Sequence, residues 1–188
     1  MHIQIFTDIS GQLITNMMKH EQVADAMDFL GLKGLKRWAE YSYLKDSVEL
    51  RSIHRYSINH FNKIIFDKNI PSPQVIPTSW EGATRQQVDE STRKRYLKQF
   101  ITDWHDLEVS TREKYQTWYK QLIEEGHIDA SRKVMDLLKC NEHEIKCLER
   151  KIIEYSAVDW DMPYVMFQQD ELHDKFKDKE KEIGVDIN

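Results

Sequence analysis

Apolar residues recur along this chain at spacings of three and four, the period of a helix that buries one face. From about Ser10 to Leu30, the residues Ile9, Leu13, Met17, Val23, Ala24 and Met27 share a face. Asn16 and His20 fall on that face too, and Gln12 lies at its edge. Residues 1–8 read as a loose lead-in. Gly31 and Gly34 mark a turn and a new start, and a second helix is predicted from about Lys33 to Asp67. Residues Asn69 to Gly82 contain Pro71, Pro73 and Pro77 and cannot continue a helix. A third helix begins between Thr84 and Thr92 and runs to about Glu125, where Gly126 stops it. Its stripe is Leu97, Ile101, Trp104, Glu108, Tyr115, Tyr119 and Leu122. A fourth helix, about Asp129 to Tyr155, carries Val134, Leu137, Leu138, Asn141, Ile145, Leu148, Ile152 and Tyr155 on one face, with Glu142 and Glu144 at its edges. Pro163 precedes a short segment, Tyr164 to about Lys175, read as a fifth helix.

These elements predict an all-α fold in one domain, residues 1–175, followed by a charged, flexible tail at 176–188. A long connection between the second and third of four helices implies a crossover along the bundle, giving up-down-down-up order. The scarcity of breakers, six glycines and four prolines in 188 residues, agrees with long uninterrupted helices.

The informative departure from simple amphipathicity lies in the second helix. At 100° per residue, Leu35, Trp38, Ser42, Asp46, Glu49, Ile53, Tyr56, His60 and Ile64 fall within roughly 80° of one another. Two acids in the middle of an apolar stripe need partners. The other helices bring polar residues to a similar depth: Glu108 on the third, Asn141 and Glu144 on the fourth, and Gln12, Asn16 or His20 on the first. Carboxylates converging from several helices are how metal pairs are held inside four-helix bundles, because the cations offset the cost of burying acids. The competing reading is a set of buried acids paired with protein cations such as Lys45, Arg51 or Arg112.

Composition narrows the classes. A net charge of -5 with scattered Lys and Arg gives no electrostatic case for nucleic acid. No apolar run approaches a membrane span and the N-terminus lacks a signal pattern, so a cytoplasmic location is expected and no membrane partner. Cys140 and Cys147 stand seven apart on one predicted helix, about 10 Å, too far for a disulfide. There is no nucleophile motif, glycine-rich phosphate loop or Cys-x-x-Cys.

The segment GLKGLKRW (31–38), followed eleven residues after Trp38 by Glu49, resembles the turn and second-helix start of non-haem bacterial ferritins. The helix order, the long connection and YVMFQQDEL (164–172) are also similar to that family, over about residues 9 to 172. The resemblance implies a ferritin-like four-helix bundle that binds iron, oxidises Fe(II) with dioxygen and stores the ferric mineral in a hollow homo-oligomer. It places Asp46 where the family has a glutamate ligand, Glu49 where it has a histidine, and Glu108 on the third-helix glutamate. Asn141 falls where a glutamine or glutamate is expected, and Gln12, with one residue of slack, where a glutamate is expected. Asp46, Glu49 and Glu108 are therefore the expected core ligands, with Asn141, Glu144 and Gln12 as weaker contacts. His20 is better centred on its helix face than family spacing would have it. The alternative class is a non-enzymatic bundle whose metal site has decayed. A haem-binding bundle would want Met or His on a two-fold oligomer face, for which Met17 and Met18 are the candidates. For a homo-oligomer, Ile58, Phe61 and Ile65 are the apolar residues on the outer side of the second helix.

Overall fold

A computed structural model describes residues 2–65 and 88–185. Among these residues the chain is all-α, with helices α1 (His2–Phe29), α2 (Lys33–Phe61), α3 (Glu90–Glu124), α4 (Ile128–Ala157), α5 (Met162–Phe167) and α6 (Gln169–Val185). No helix among them is long and apolar enough to cross a membrane.

Local chemistry explains the boundaries. Gly31 and Gly126 adopt φ of 78° and 77°, the left-handed region that a Cβ disfavours, and they end α1 and α3. The amides that follow fold back, Leu32 N–H onto the Met27 carbonyl and His127 N–H onto Leu122, each at 2.8 Å. Asp89 caps α3 by accepting from the Thr92 amide at 2.7 Å, and Asp161 caps α5 through Tyr164 at 3.0 Å. Helix α2 has no side-chain cap from its own flank. The buried Gln169 of α6 serves instead, its Oε1 accepting from the Gly34 and Leu35 amides at 3.0 and 3.1 Å. That approach needs a glycine: a Cβ on Gly34 would collide with the Gln169 carbonyl and come within 2.7 Å of Leu172 Cβ.

The pairing of side chains sets the directions. Along α1 from His20 back to Ser10, partners on α2 advance from Asp46 to His54. Partners on α3 advance from Glu108 to Lys114 as α1 recedes from His20 to Gln12. Thus α1 runs against both α2 and α3, and α4 meets α2 through Ser42 and Lys45 at Glu144. Two apolar clusters fill the interior. One gathers Leu30, Trp38, Phe100, Trp104, Leu148, Tyr155 and Phe176. The other gathers Phe6, Ile9, Leu13, Ile53, Tyr115, Leu122 and Leu137.

Five expectations change. The lead-in at 1–8 is helical from His2, because Ile5 and Phe6 are buried and extend the Ile9–Leu13 stripe. The single fifth helix is two, α5 and α6. The charged stretch expected to be a flexible tail continues α6 to Val185. Phe176 anchors it, stacked on Trp38 at 5.2 Å, and the half-buried Glu180 pairs with Arg37. The second helix stops at Phe61, where Asn62 takes φ of 52°, and the connection Asn69–Gly82 lies outside the described residues. Of the residues proposed for an outer apolar face, only Ile58 is exposed. Ile65 is buried, and Phe61 packs edge-on against Phe6 and Tyr56.

Candidate metal centre

Between the two apolar clusters the four long helices contribute buried polar side chains. They sort into two groups. The first is built around His20 of α1, which is 1% exposed and stands edge-on to Trp104. Its Nε2 lies 2.9 Å from Glu108 Oε1. Its Nδ1 lies 3.0 Å from Asp46 Oδ2, out of line for a hydrogen bond. Asn141 of α4 donates from Nδ2 to Glu108 twice, to Oε2 at 2.6 Å and to the main-chain carbonyl at 3.1 Å. Glu144, one helical turn on, accepts from the Ser42 hydroxyl and from Lys45 Nζ at 3.2 Å.

One ligand atom each from the buried His20, Glu108 and Glu144 can be chosen so that all three lie within 4.8 Å of one another. Ligands at about 2.1 Å from one ion are about 3 Å apart when adjacent and about 4.2 Å when opposite. The trio is therefore a small side-chain movement from closing on a cation. Asp46 flanks it through His20, and Asn141 Oδ1 is a buried acceptor without a donor. An oxygen-rich set with one imidazole can hold a metal ion of the Fe(II), Mn(II) or Zn(II) kind, and an orphaned acceptor is the expected mark of a missing cation or water.

The charges of this group are partly balanced within the protein. Burial disfavours the imidazolium of His20, but the carboxylates of Asp46 and Glu108 on its two nitrogens overcome this and push its pKa up to about 10. Burial raises the pKa of Asp46 and Glu108, with His20 opposing. Glu144 goes the other way: burial would raise it, yet Lys45, His20 and the Ser42 hydroxyl hold it below the usual glutamate range. Glu49 is only half-exposed, and burial beside Asp46 lifts it to about 8 against the pull of Lys45.

The second group is neutral at its heart. Gln12 donates from Nε2 to Asn16 Oδ1 at 2.7 Å and to Thr111 Oγ1 at 3.0 Å. Its Oε1 accepts from Lys114 at 2.6 Å, and the Thr111 hydroxyl donates to Asn16 at 3.3 Å.

Of the residues singled out from sequence, His20, Asp46, Glu108, Asn141 and Glu144 are linked in one buried network. Gln12 is committed to Asn16, Thr111 and Lys114. Glu49 sits at the edge, next to Lys45 and Cys140. His20 is the hub, where helix periodicity places it and family spacing does not. Ser42 and Lys45 join the site without being among the expected ligands. Ser42 lies mid-stripe and Lys45 adjoins Asp46, so the same helical projection could have found both. A scan of protein-family models finds no match to this chain, and a search of curated proteins finds none either.

Proposed function

We propose that the protein is a ferritin-like bundle that binds a divalent cation, Fe(II) first, in its interior. His20, Glu108 and Glu144 would hold it, with Asp46 and Asn141 alongside. The observation that carries this reading is the convergence of three ligating side chains from α1, α3 and α4 within 4.8 Å in a buried layer. The helix directions support it too, since α1 runs against both α2 and α3 and these two run the same way. In this reading Fe(II) is the substrate, dioxygen accepts its electrons and the carboxylates act as ligands. Iron storage in a homo-oligomeric cage is the further step that the family resemblance implies. His20 must give up its proton to bind, so metal competes with the imidazolium.

A second reading has a specific observation in its favour. The imidazolium of His20 between Asp46 and Glu108, with Lys45 on Glu144, already neutralises much of the acid. The protein would then be a non-enzymatic structural or interaction bundle with a proton and a lysine where a metal once sat.

The test uses protein purified without added metal. Metal content is measured, then the melting temperature with Fe(II) under argon and with Mn(II), for the parent and for Glu144→Gln. Specific binding raises the parent's midpoint and leaves the variant's unmoved. A metal-free parent with no thermal response sinks the metal reading. Aerobic Fe(II) oxidation no faster than in protein-free buffer sinks the ferroxidase step alone.

A further inference from the structure

The end of the bundle where α1 and α4 begin and α2 and α3 finish carries three of the chain's eight histidines. His2, His60 and His127 line one cleft of about 330 Å³ there, together with Tyr56, Phe61 and Asp129. The rings of His2 and His127 are in contact, their centroids 4.1 Å apart. Glu125, at the end of α3, is oriented by Gln121, whose Nε2 donates to its Oε1 at 3.0 Å. Its other oxygen, Oε2, lies 3.6 Å from His127 Nε2, too far for a hydrogen bond. Asp129 is paired with Arg132 at 3.4 Å. The His60 ring stacks on Tyr56 at 3.9 Å, and its Nδ1 faces the Tyr56 carbonyl at 3.1 Å.

We propose that His2, His127 and Glu125 form a second cation site, of the Zn(II) class, that clasps the ends of α1, α3 and α4 together. Two lengths support a shared ion. Metal–nitrogen bonds of about 2.0–2.1 Å put two imidazole centroids on one ion about 4.5–5.2 Å apart, from right-angled to tetrahedral geometry. His2 and His127 are thus within about 1 Å of that spacing. The same bond lengths put a nitrogen and a carboxylate oxygen on one ion about 2.9–3.4 Å apart. The His127–Glu125 separation of 3.6 Å is close to that, and Gln121 holds the carboxylate as an outer hydrogen bond holds a ligand. His2 must turn to complete the set, since among the described residues only the His20 trio already lies within 4.8 Å. It stands half-buried on the first turn of α1. Slight burial and His127 lower its pKa against the pull of Glu125, which leaves its imidazole neutral, as a ligand must be, at pH 7. Two helix starts and two helix ends meet here, so their partial charges roughly offset and do not repel a cation. Two imidazoles and a carboxylate are the donors of a zinc site that keeps one position open, here towards the cleft. Imidazole donors favour Zn(II) over Mn(II) and Fe(II), which separates this site from the oxygen-richer His20 centre.

The probe is Co(II), whose visible absorption reports its coordination, titrated into the untagged full chain after EDTA stripping and desalting. The parent is compared with Glu144→Gln, in which the buried centre lacks a ligand, so the outcome does not depend on that centre. The expected result is one saturable Co(II) site in Glu144→Gln, whose absorption one equivalent of Zn(II) removes. In the Glu144→Gln chain, His2→Asn, His127→Asn and Glu125→Gln each weaken Co(II) by about tenfold or more. Glu125→Gln keeps an acceptor for Gln121, so an unchanged metal-free melting temperature shows that its loss of binding is not unfolding. His60→Asn binds as its parent does. Absence of a saturable site in Glu144→Gln overturns the proposal, and so does binding that His127→Asn or Glu125→Gln leaves unchanged. A loss from His60→Asn as large as that from His127→Asn overturns the ligand assignment.

Discussion

The two polar groups in the bundle interior are similarly buried, and they solve that problem differently. Gln12, Asn16 and Thr111 pass hydrogen bonds among neutral groups, with Lys114 closing on the outer side. The His20 group packs three carboxylates, an imidazole and an amide together; His20 Nδ1 and Asp46 Oδ2 face each other as an ion pair at 3.0 Å, and Asn141 Oδ1 has no donor among the described residues. A network of neutral amides and hydroxyls can saturate itself with partners from two helices. A network of acids needs external positive charge, and buried ions leave larger residual fields when it is missing. Incomplete satisfaction thus favours the His20 group, and not the Gln12 group, as the place for a bound cation.

The largest expected effect that would break this contrast is Glu108→Ala. It removes one partner of the His20 imidazolium and one of the two acceptors for Asn141 Nδ2, the main-chain carbonyl remaining, so urea denaturation should show a loss of about 3–5 kcal/mol. A loss under about 1 kcal/mol would mean the ionic group is no more critical than the neutral one. Next comes metal. At about a hundredfold excess over the dissociation constant, Fe(II) or Mn(II) should add about 2.7 kcal/mol to the stability of the parent. Glu144→Gln should abolish that gain, while Thr111→Val should retain it. If Thr111→Val also abolishes it, the division into two groups is wrong.

The dependence on pH gives a third test. The folded-state pKa of His20 is raised from 6.5 to about 10. Its contribution to stability is therefore fully present below pH 6.5 and is lost as pH rises towards 10. Metal-free parent should lose stability across that window, with a slope from this group of at most about 1.4 kcal/mol per pH unit, and His20→Asn should flatten it. Metal affinity should climb over the same window by up to about tenfold per unit, because the competing proton leaves. Stability and affinity moving in the same direction with pH would exclude His20 as a ligand. The smallest effect belongs to the neutral group. Thr111→Val should cost about 1–2 kcal/mol and change neither pH profile.

Much of this architecture is legible in the amino-acid sequence. The long helices follow from spacing and the ends of α1 and α3 from Gly31 and Gly126, whereas α2 stops at Phe61, short of the expected Asp67, with Asn62 in the left-handed region. Glu108, Asp46 and Asn141 stand out because polar residues mid-stripe are rare in a packed bundle, and Glu144 lies at the edge of the same stripe as Asn141. Two features are harder to read. Helix α6 alternates Lys, Asp and Glu so densely that it reads as solvated chain. Its docking rests on Leu172 and Phe176, a narrow stripe one turn apart, together with the Arg37–Glu180 pair. The pairing of Gln12 is hidden for a different reason. Whether an amide at a stripe edge faces an acid or a threonine depends on the register between α1 and α3, which no single helix encodes.

The contact between Gln169 and the start of α2 joins positions 135 and 134 residues apart. During synthesis the α1–α2 hairpin emerges long before its cap exists, and two amides at its turn must stay hydrated until α6 arrives. Helix α6 thus completes a hairpin made long before it, and a nascent chain stalled before Gln169 would carry that hairpin with an open end.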